Sequence, residues 1–129
     1  MKARAVHAAL PAQDLERAKR FYGEMLGLTP TAEQPDGVFY EVGRTRLLLF
    51  PSSGRPSGQH TQVGFDVEDI EATVADLKSR GVVFEEYDLP GMKTINSVAT
   101  TGAVKGAWFK DTEGNLLGVA QLPEAYAGR

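Results

Sequence analysis

Two imidazoles, a carboxamide and an indole are the side chains here best suited to work on a small molecule: His7, His60, Gln62 and Trp108. His7 lies in ARAVHAAL, residues 3–10, and could ligate a metal ion or act as a general base. Gln62 offers a carboxamide oxygen, a weak ligand. His60 sits two residues before Gln62 and Asp66 four after it, so all three share one strand face. Either could approach a displaced ion only if the strand bends. Trp108 and Tyr40 supply flat surfaces for stacking. No carboxylate stands near His7 in sequence to orient it as a base. There is no cysteine, which excludes thiolate metal sites and disulfides. GxSxG, HExxH and the phosphate-binding P-loop are also absent.

The elements that must position these groups can be read from periodicity. Residues 3–10 alternate as a strand, with Ala5, His7 and Ala9 on one face and Val6, Ala8 and Leu10 on the other. Asp14 predicts a helix N-cap. Leu15, Ala18, Phe21, Tyr22 and Met25 then recur at helical spacing until Gly27. Val38 to Val42 and Thr45 to Phe50 flank Gly43-Arg44, a pair that suits a type II′ hairpin turn. That turn sets Glu41 opposite Arg46 and Tyr40 opposite Leu47. A short edge strand is expected between Gly27 and Asp36. PSSGRPSGQ, residues 51–59, reads as a linker.

The order then repeats. Residues 61–67 form a strand, Asp69 caps a helix carrying Ile70, Val74 and Leu77, and Gly81 ends it. VVFEEYD, residues 82–88, reads as a strand, and AWFKDTEGNLLGVAQ as a final hairpin. In that hairpin Asp111 pairs with Asn115, so Trp108 pairs with Gly118. His7 precedes Asp14 by seven residues, and Gln62 precedes Asp69 by seven. Two copies of one unit imply pseudo-twofold symmetry. Residues 88–106 form a long insertion expected to border a cavity mouth, with Thr94 to Ala99 extending a strand.

A chain of 129 residues with 42% hydrophobic and 24% charged residues suits one globular domain. The expected division is a first module at 1–50, a linker at 51–60, a second module at 61–123 and a tail at 124–129. A formal charge of −3 gives no basic face for nucleic acid. Leu47 to Phe50 is the longest strongly apolar run, far short of a membrane span. The N-terminus is a poor signal peptide, and a cytoplasmic location is expected.

PAQDLERAKRFYGEMLGL, VGFDVEDIEATVADLKSRGV and AWFKDTEGNLLGVAQ together resemble the vicinal oxygen chelate superfamily of glyoxalase, bleomycin-resistance proteins and extradiol dioxygenases. The resemblance implies an α+β fold of two βαβββ modules whose curved mixed sheets enclose a cavity. It also implies a homodimer. In metal-using members four inward side chains bind the ion, and those places fall on His7, Leu49, Gln62 and Gly118. Leu49 has no donor and Gly118 no side chain, where glutamates are usual. No metal and no cofactor are therefore expected.

With His7 and Gln62 inward, alternation adds Ala5, Ala9 and Gly64 to the wall, His60 flanks it, and Leu49 brings Leu47, Tyr40 and Val38. Trp108 shares the Gly118 face. Small residues leave volume, aromatics give contact and polar tips orient, which is the make-up of a ligand pocket. The expectation is a metal-free protein that sequesters an apolar or aromatic compound such as an antibiotic. The alternative is a metal-dependent isomerase, lyase or dioxygenase. A third is a metal-free enzyme with His7 as base. Plainer roles stand beside these: Trp108 as a core or interface residue, His7 as a hydrogen-bonded wall residue. The helix charges (Glu16, Arg17, Lys19, Arg20; Glu71, Asp76, Lys78) read as a solvated face.

Overall fold

Asp14 caps as its position predicts: its carboxylate accepts from the Arg17 amide at 3.0 Å and starts helix α1, Leu15–Arg20. Asp69 accepts from the Ala72 amide at 3.1 Å and starts α2, Ile70–Ser79. Each satisfies an amide that the first helical turn leaves without a partner. Past Arg20 the first helix widens into a π-helical turn, Phe21–Met25, in which two consecutive rings, Phe21 and Tyr22, are buried. Gly27, left-handed at φ 72°, ends it. The computed structural model describes residues 1–124; apart from Glu124, the expected tail lies outside the described residues.

The chain divides into two compact units. The first is Met1–Ser57 together with Asp111–Asn115. Its strands are β1 (His7–Ala12), β2 (Pro30–Gln34), β3 (Gly37–Val42) and β4 (Thr45–Pro51), in the order β1-β4-β3-β2. β1 runs parallel to β4, and the other pairs are antiparallel. The β3–β4 hairpin has the predicted register, Glu41 opposite Arg46 and Tyr40 opposite Leu47, about Gly43 at φ 58°.

The second unit is Gly58–Lys110 with the chain from Leu116. It carries β5 (Thr61–Asp66), β6 (Asp88–Leu89), β7 (Met92–Ile95), β8 (Val98–Thr101), β9 (Val104–Lys110) and β10 (Leu116–Gln121). Their order is β5-β10-β9-β8-β7-β6, with β5 parallel to β10. Ile70, Val74 and Leu77 of α2 are buried, as are Ala107, Phe109, Leu117 and Val119 on the covered face of the sheet. Gln121 Oε1 accepts from the Ile70 amide at 2.9 Å, satisfying a second orphan of that helix.

Residues 82–88 do not form the expected strand. Phe84 makes an isolated bridge to Phe109, Glu85 N–H donates to the Trp108 carbonyl at 2.8 Å, the Tyr87 carbonyl accepts from the Thr94 amide at 2.9 Å, and only Asp88 enters a strand, β6. Val82 and Phe84 are buried and Val83 is exposed, so the alternation is real but anchors the segment rather than extending a ladder. Much of the insertion 88–106 is the meander β6–β7–β8. Its β7–β8 turn is Asn96-Ser97, with φ 51° and 73°, a mirror-image hairpin turn made without glycine.

The fold is α+β, with two βαβββ-like modules and mixed sheets. The expectation that curved sheets enclose a cavity is overturned. The four-stranded sheet ends on open edges at β1 and β2 and the six-stranded sheet at β5 and β6, so neither is curved or closed into a cavity. The physical reason in the first module is register. Leu10, Leu49 and Val38 lie side by side, as do Ala8, Leu47 and Tyr40, and these rows make the buried face. Val38, Tyr40, Leu47 and Leu49 thus face the core, opposite to His7, and not a cavity shared with it.

Candidate functional site

Gly64, Gly118 and Trp108 form one cross-strand row on β5, β10 and β9 of the second unit. The Trp108 indole lies down along the sheet because its neighbours have no side chain. A Cβ at Gly106 would stand 3.1 Å from the indole Cη2, and one at Gly118 would stand 3.3 Å from Nε1. The ring is held at two further points. Its Nε1–H donates to Thr61 Oγ1 at 3.1 Å. The Tyr87 ring meets it edge-on, centroids 5.7 Å apart at 73°. Burial, then the charge of Glu85, pushes the Tyr87 phenol up, so it is a neutral partner.

Beside the indole is an open hollow of about 420 Å³, bordered by Gly64, Met92, Ala99, Thr101, Val104 and Gly118 among others. That volume falls in the range of small-molecule sites, roughly 300–1,000 Å³. No ionisable side chain borders it among the described residues. Gly64 leaves open space: a Cβ there would meet nothing within 4 Å.

The structure departs from simple alternation on β5. The β5–β10 register slips between Leu116, opposite Thr61, and Leu117, opposite Val63. Gln62 is the extra residue of this bulge. Thr61, not Gln62, therefore reaches the Trp108 face. The Gln62 Oε1 is buried with no hydrogen-bond partner among the described residues. His60 precedes β5 and is exposed, and Asp66 lies at the far end, opposite Ala120 and also exposed.

In the first unit His7 is exposed on the open face of its sheet, opposite Arg46 on β4. Both pack on Phe39: the imidazole edge-on at 5.6 Å, the guanidinium 5.2 Å over the ring. Leu49 and its row are on the other face. A cation at His7 would sit beside a permanent positive charge and find no carboxylate from β4. Among the described residues no group of three or more His, Cys, Asp or Glu is placed to hold a metal ion. The residues at these positions do not fit a divalent cation.

A polar cluster in the first unit was not legible in the sequence. Asp111 Oδ1 accepts from the amides of Glu113 and Asn115 at 2.8 and 2.9 Å. Its Oδ2 accepts from Tyr22 Oη at 2.7 Å and Asn115 Nδ2 at 2.8 Å. Arg17, expected on the solvated face, instead donates to Glu113 at 2.7 and 3.1 Å. The signal available was only Asp-x-x-Gly-Asn as a turn; its long-range partners leave no periodicity. Every carboxylate oxygen of Asp111 and Glu113 is bonded, so the cluster braces the turn.

The model of the Glyoxalase/Bleomycin resistance protein/Dioxygenase superfamily matches residues 4–119. The uncharacterized protein YetH of Bacillus subtilis (strain 168) is 26% identical over 118 residues, covering 84% of this chain and 90% of its own. The crystal structure of UcmS2 superposes with a TM-score of 0.73 at 21% identity, covering 93% of this chain and 98% of that one. A mutant of the fosfomycin resistance protein FosX from Listeria monocytogenes, complexed with Mn(II) and 1S,2S-dihydroxypropylphosphonic acid, does so at 0.67 and 14% identity, covering 96% and 94%. At these identities the two solved structures share the fold.

Proposed function

This chain belongs to the Glyoxalase/Bleomycin resistance protein/Dioxygenase superfamily, and we propose that it takes up a small, flat, largely apolar molecule, such as an antibiotic, without breaking a bond. The observation that carries this reading is the Trp108 indole, laid over Gly106 and Gly118 and facing a hollow with no charge on its border. A ring pinned by a hydrogen bond and an edge contact is a preorganised stacking surface, so little freedom is lost on binding. Gly64 and Gly118 supply room, and the protein acts as a twofold dimer. The test is calorimetric titration with a panel of neutral planar aromatic compounds. Saturable binding that Trp108→Ala weakens by about tenfold supports the reading, a size set by the worth of an aromatic pair. Equal affinity in Trp108→Ala overturns it.

A second reading is a metal-dependent isomerase, lyase or dioxygenase. The comparisons speak for it more than for the first, since the FosX mutant is complexed with Mn(II). The donor set speaks against it, because Arg46 stands beside His7 and neither Leu49 nor Gly118 can ligate. Elemental analysis of protein equilibrated with Mn(II), Zn(II) or Ni(II) separates the two. Stoichiometric metal that His7→Ala removes would establish the second reading; metal below a tenth of an equivalent would remove it.

A further inference from the structure

We infer that Thr61 selects the occupant of the Trp108 hollow, and that this occupant is an uncharged planar molecule with a carbonyl oxygen at its edge. The inference rests on reading the hollow as a binding site. Thr61 Oγ1 is the acceptor in its bond with the indole N–H at 3.1 Å. Its own hydroxyl proton has no acceptor among the described residues, so the O–H is free to donate at the margin of the ring. Accepting a bond polarises a hydroxyl and makes it a better donor. A flat molecule stacked on the indole would bring an edge oxygen within its reach. The bulge creates this arrangement, because without the extra residue Gln62 the hydroxyl would point to the other face.

The border explains the exclusion of charge. Met92, Ala99, Thr101 and Val104 with four glycines and the indole offer an anion no cation and a cation no carboxylate. A charged ligand would give up part of its hydration there and gain no partner, so it binds more weakly than a neutral one of the same shape. A phosphonate or carboxylate compound is therefore a poor occupant of this hollow.

Three probes of similar size separate the claims: coumarin, naphthalene and 2-naphthoate. The readout is the indole N–H resonance of the only tryptophan, titrated in the intact protein. Coumarin should bind about three- to tenfold more tightly than naphthalene, the worth of one neutral hydrogen bond. 2-Naphthoate should be the weakest. Thr61→Val should abolish the coumarin preference, and Thr61→Ser should keep it. Equal affinity for coumarin and naphthalene, or a preference that survives Thr61→Val, overturns the role of Thr61 while the stacking site stands. No shift with any probe overturns the site and this inference together.

Discussion

The phenol of Tyr22 donates to Asp111 Oδ2 at 2.7 Å, joining residues 89 apart in the chain, and both groups are buried. Burial, then the Asp111 charge, holds the Tyr22 phenol well above its ordinary value, so it stays a donor at any ordinary pH. The Tyr40 ring lies 6.0 Å away, tilted by 32°, and its buried hydroxyl has no partner among the described residues. The two phenols predict opposite results. Tyr22→Phe strips a carboxylate of a bond and should cost about 1.5–3 kcal/mol. Tyr40→Phe removes an unsatisfied group and should be neutral or stabilising. Urea unfolding of both variants decides; an equal loss in both would contradict the account.

Glu113 is a carboxyl whose ionisation is coupled to folding of the first unit. Burial by itself would raise its carboxyl. Bonds from Arg17, the Asp14 amide and the Thr112 hydroxyl outweigh that and hold it at about 2. A carboxyl lowered on folding stabilises the native state above its unfolded value near 4.5, and that contribution is lost as the pH falls toward 2. Arg17 is half exposed, so the ion pair adds modestly. Stability of the native chain should therefore fall between pH 4.5 and 2, more steeply than in Glu113→Gln. Parallel slopes in the two proteins would show that other carboxylates carry the acid response.

The three glycines around Trp108 should respond differently to one methyl group. Gly106→Ala and Gly118→Ala press on the indole at 3.1 and 3.3 Å, while Gly64→Ala meets open space. The first two should shift tryptophan emission and weaken probe binding. Gly64→Ala should leave emission unchanged and stability within about 0.5 kcal/mol, as for a surface change. It narrows the hollow, so larger probes should lose affinity first. An emission shift in Gly64→Ala alone would reverse the assignment of which glycines cradle the ring.

Ser97 combines a cost and a gain. Its φ of 73° favours glycine, yet its hydroxyl donates to Glu86 at 2.6 Å. Ser97→Gly should be more favourable by about 0.5–1 kcal/mol in a Glu86→Ala background than in the native chain, since the bond is then already gone. A double-mutant cycle reads this directly, and a coupling of zero would mean the hydroxyl contributes nothing.

Much of the fold was legible because its signals are local. Asp14 and Asp69 cap their helices, Gly43 turns its hairpin, and Trp108 meets Gly118, each dictated by neighbours within a few residues. The insertion 88–106 was legible only in part, because Asn96-Ser97 makes a glycine turn without glycine. The candidate site was half legible. Trp108, Gly64 and Gly118 come together, but the bulge exchanged Gln62 for Thr61, and a bulge leaves no trace in strict alternation.

By itself the amino-acid order determined two strand-helix-strand units with their caps and turns; that Leu49 and Gly118 stand where metal-using relatives carry donors is what the resemblance implied. Tertiary structure alone decided which face of each strand is covered. It turned Val38, Tyr40, Leu47 and Leu49 into core, left His7 beside Arg46 on an open face and kept both sheets open. The reason is that alternation separates two faces but carries no sign. Only pairing with the next strand and burial of one side say which face is which.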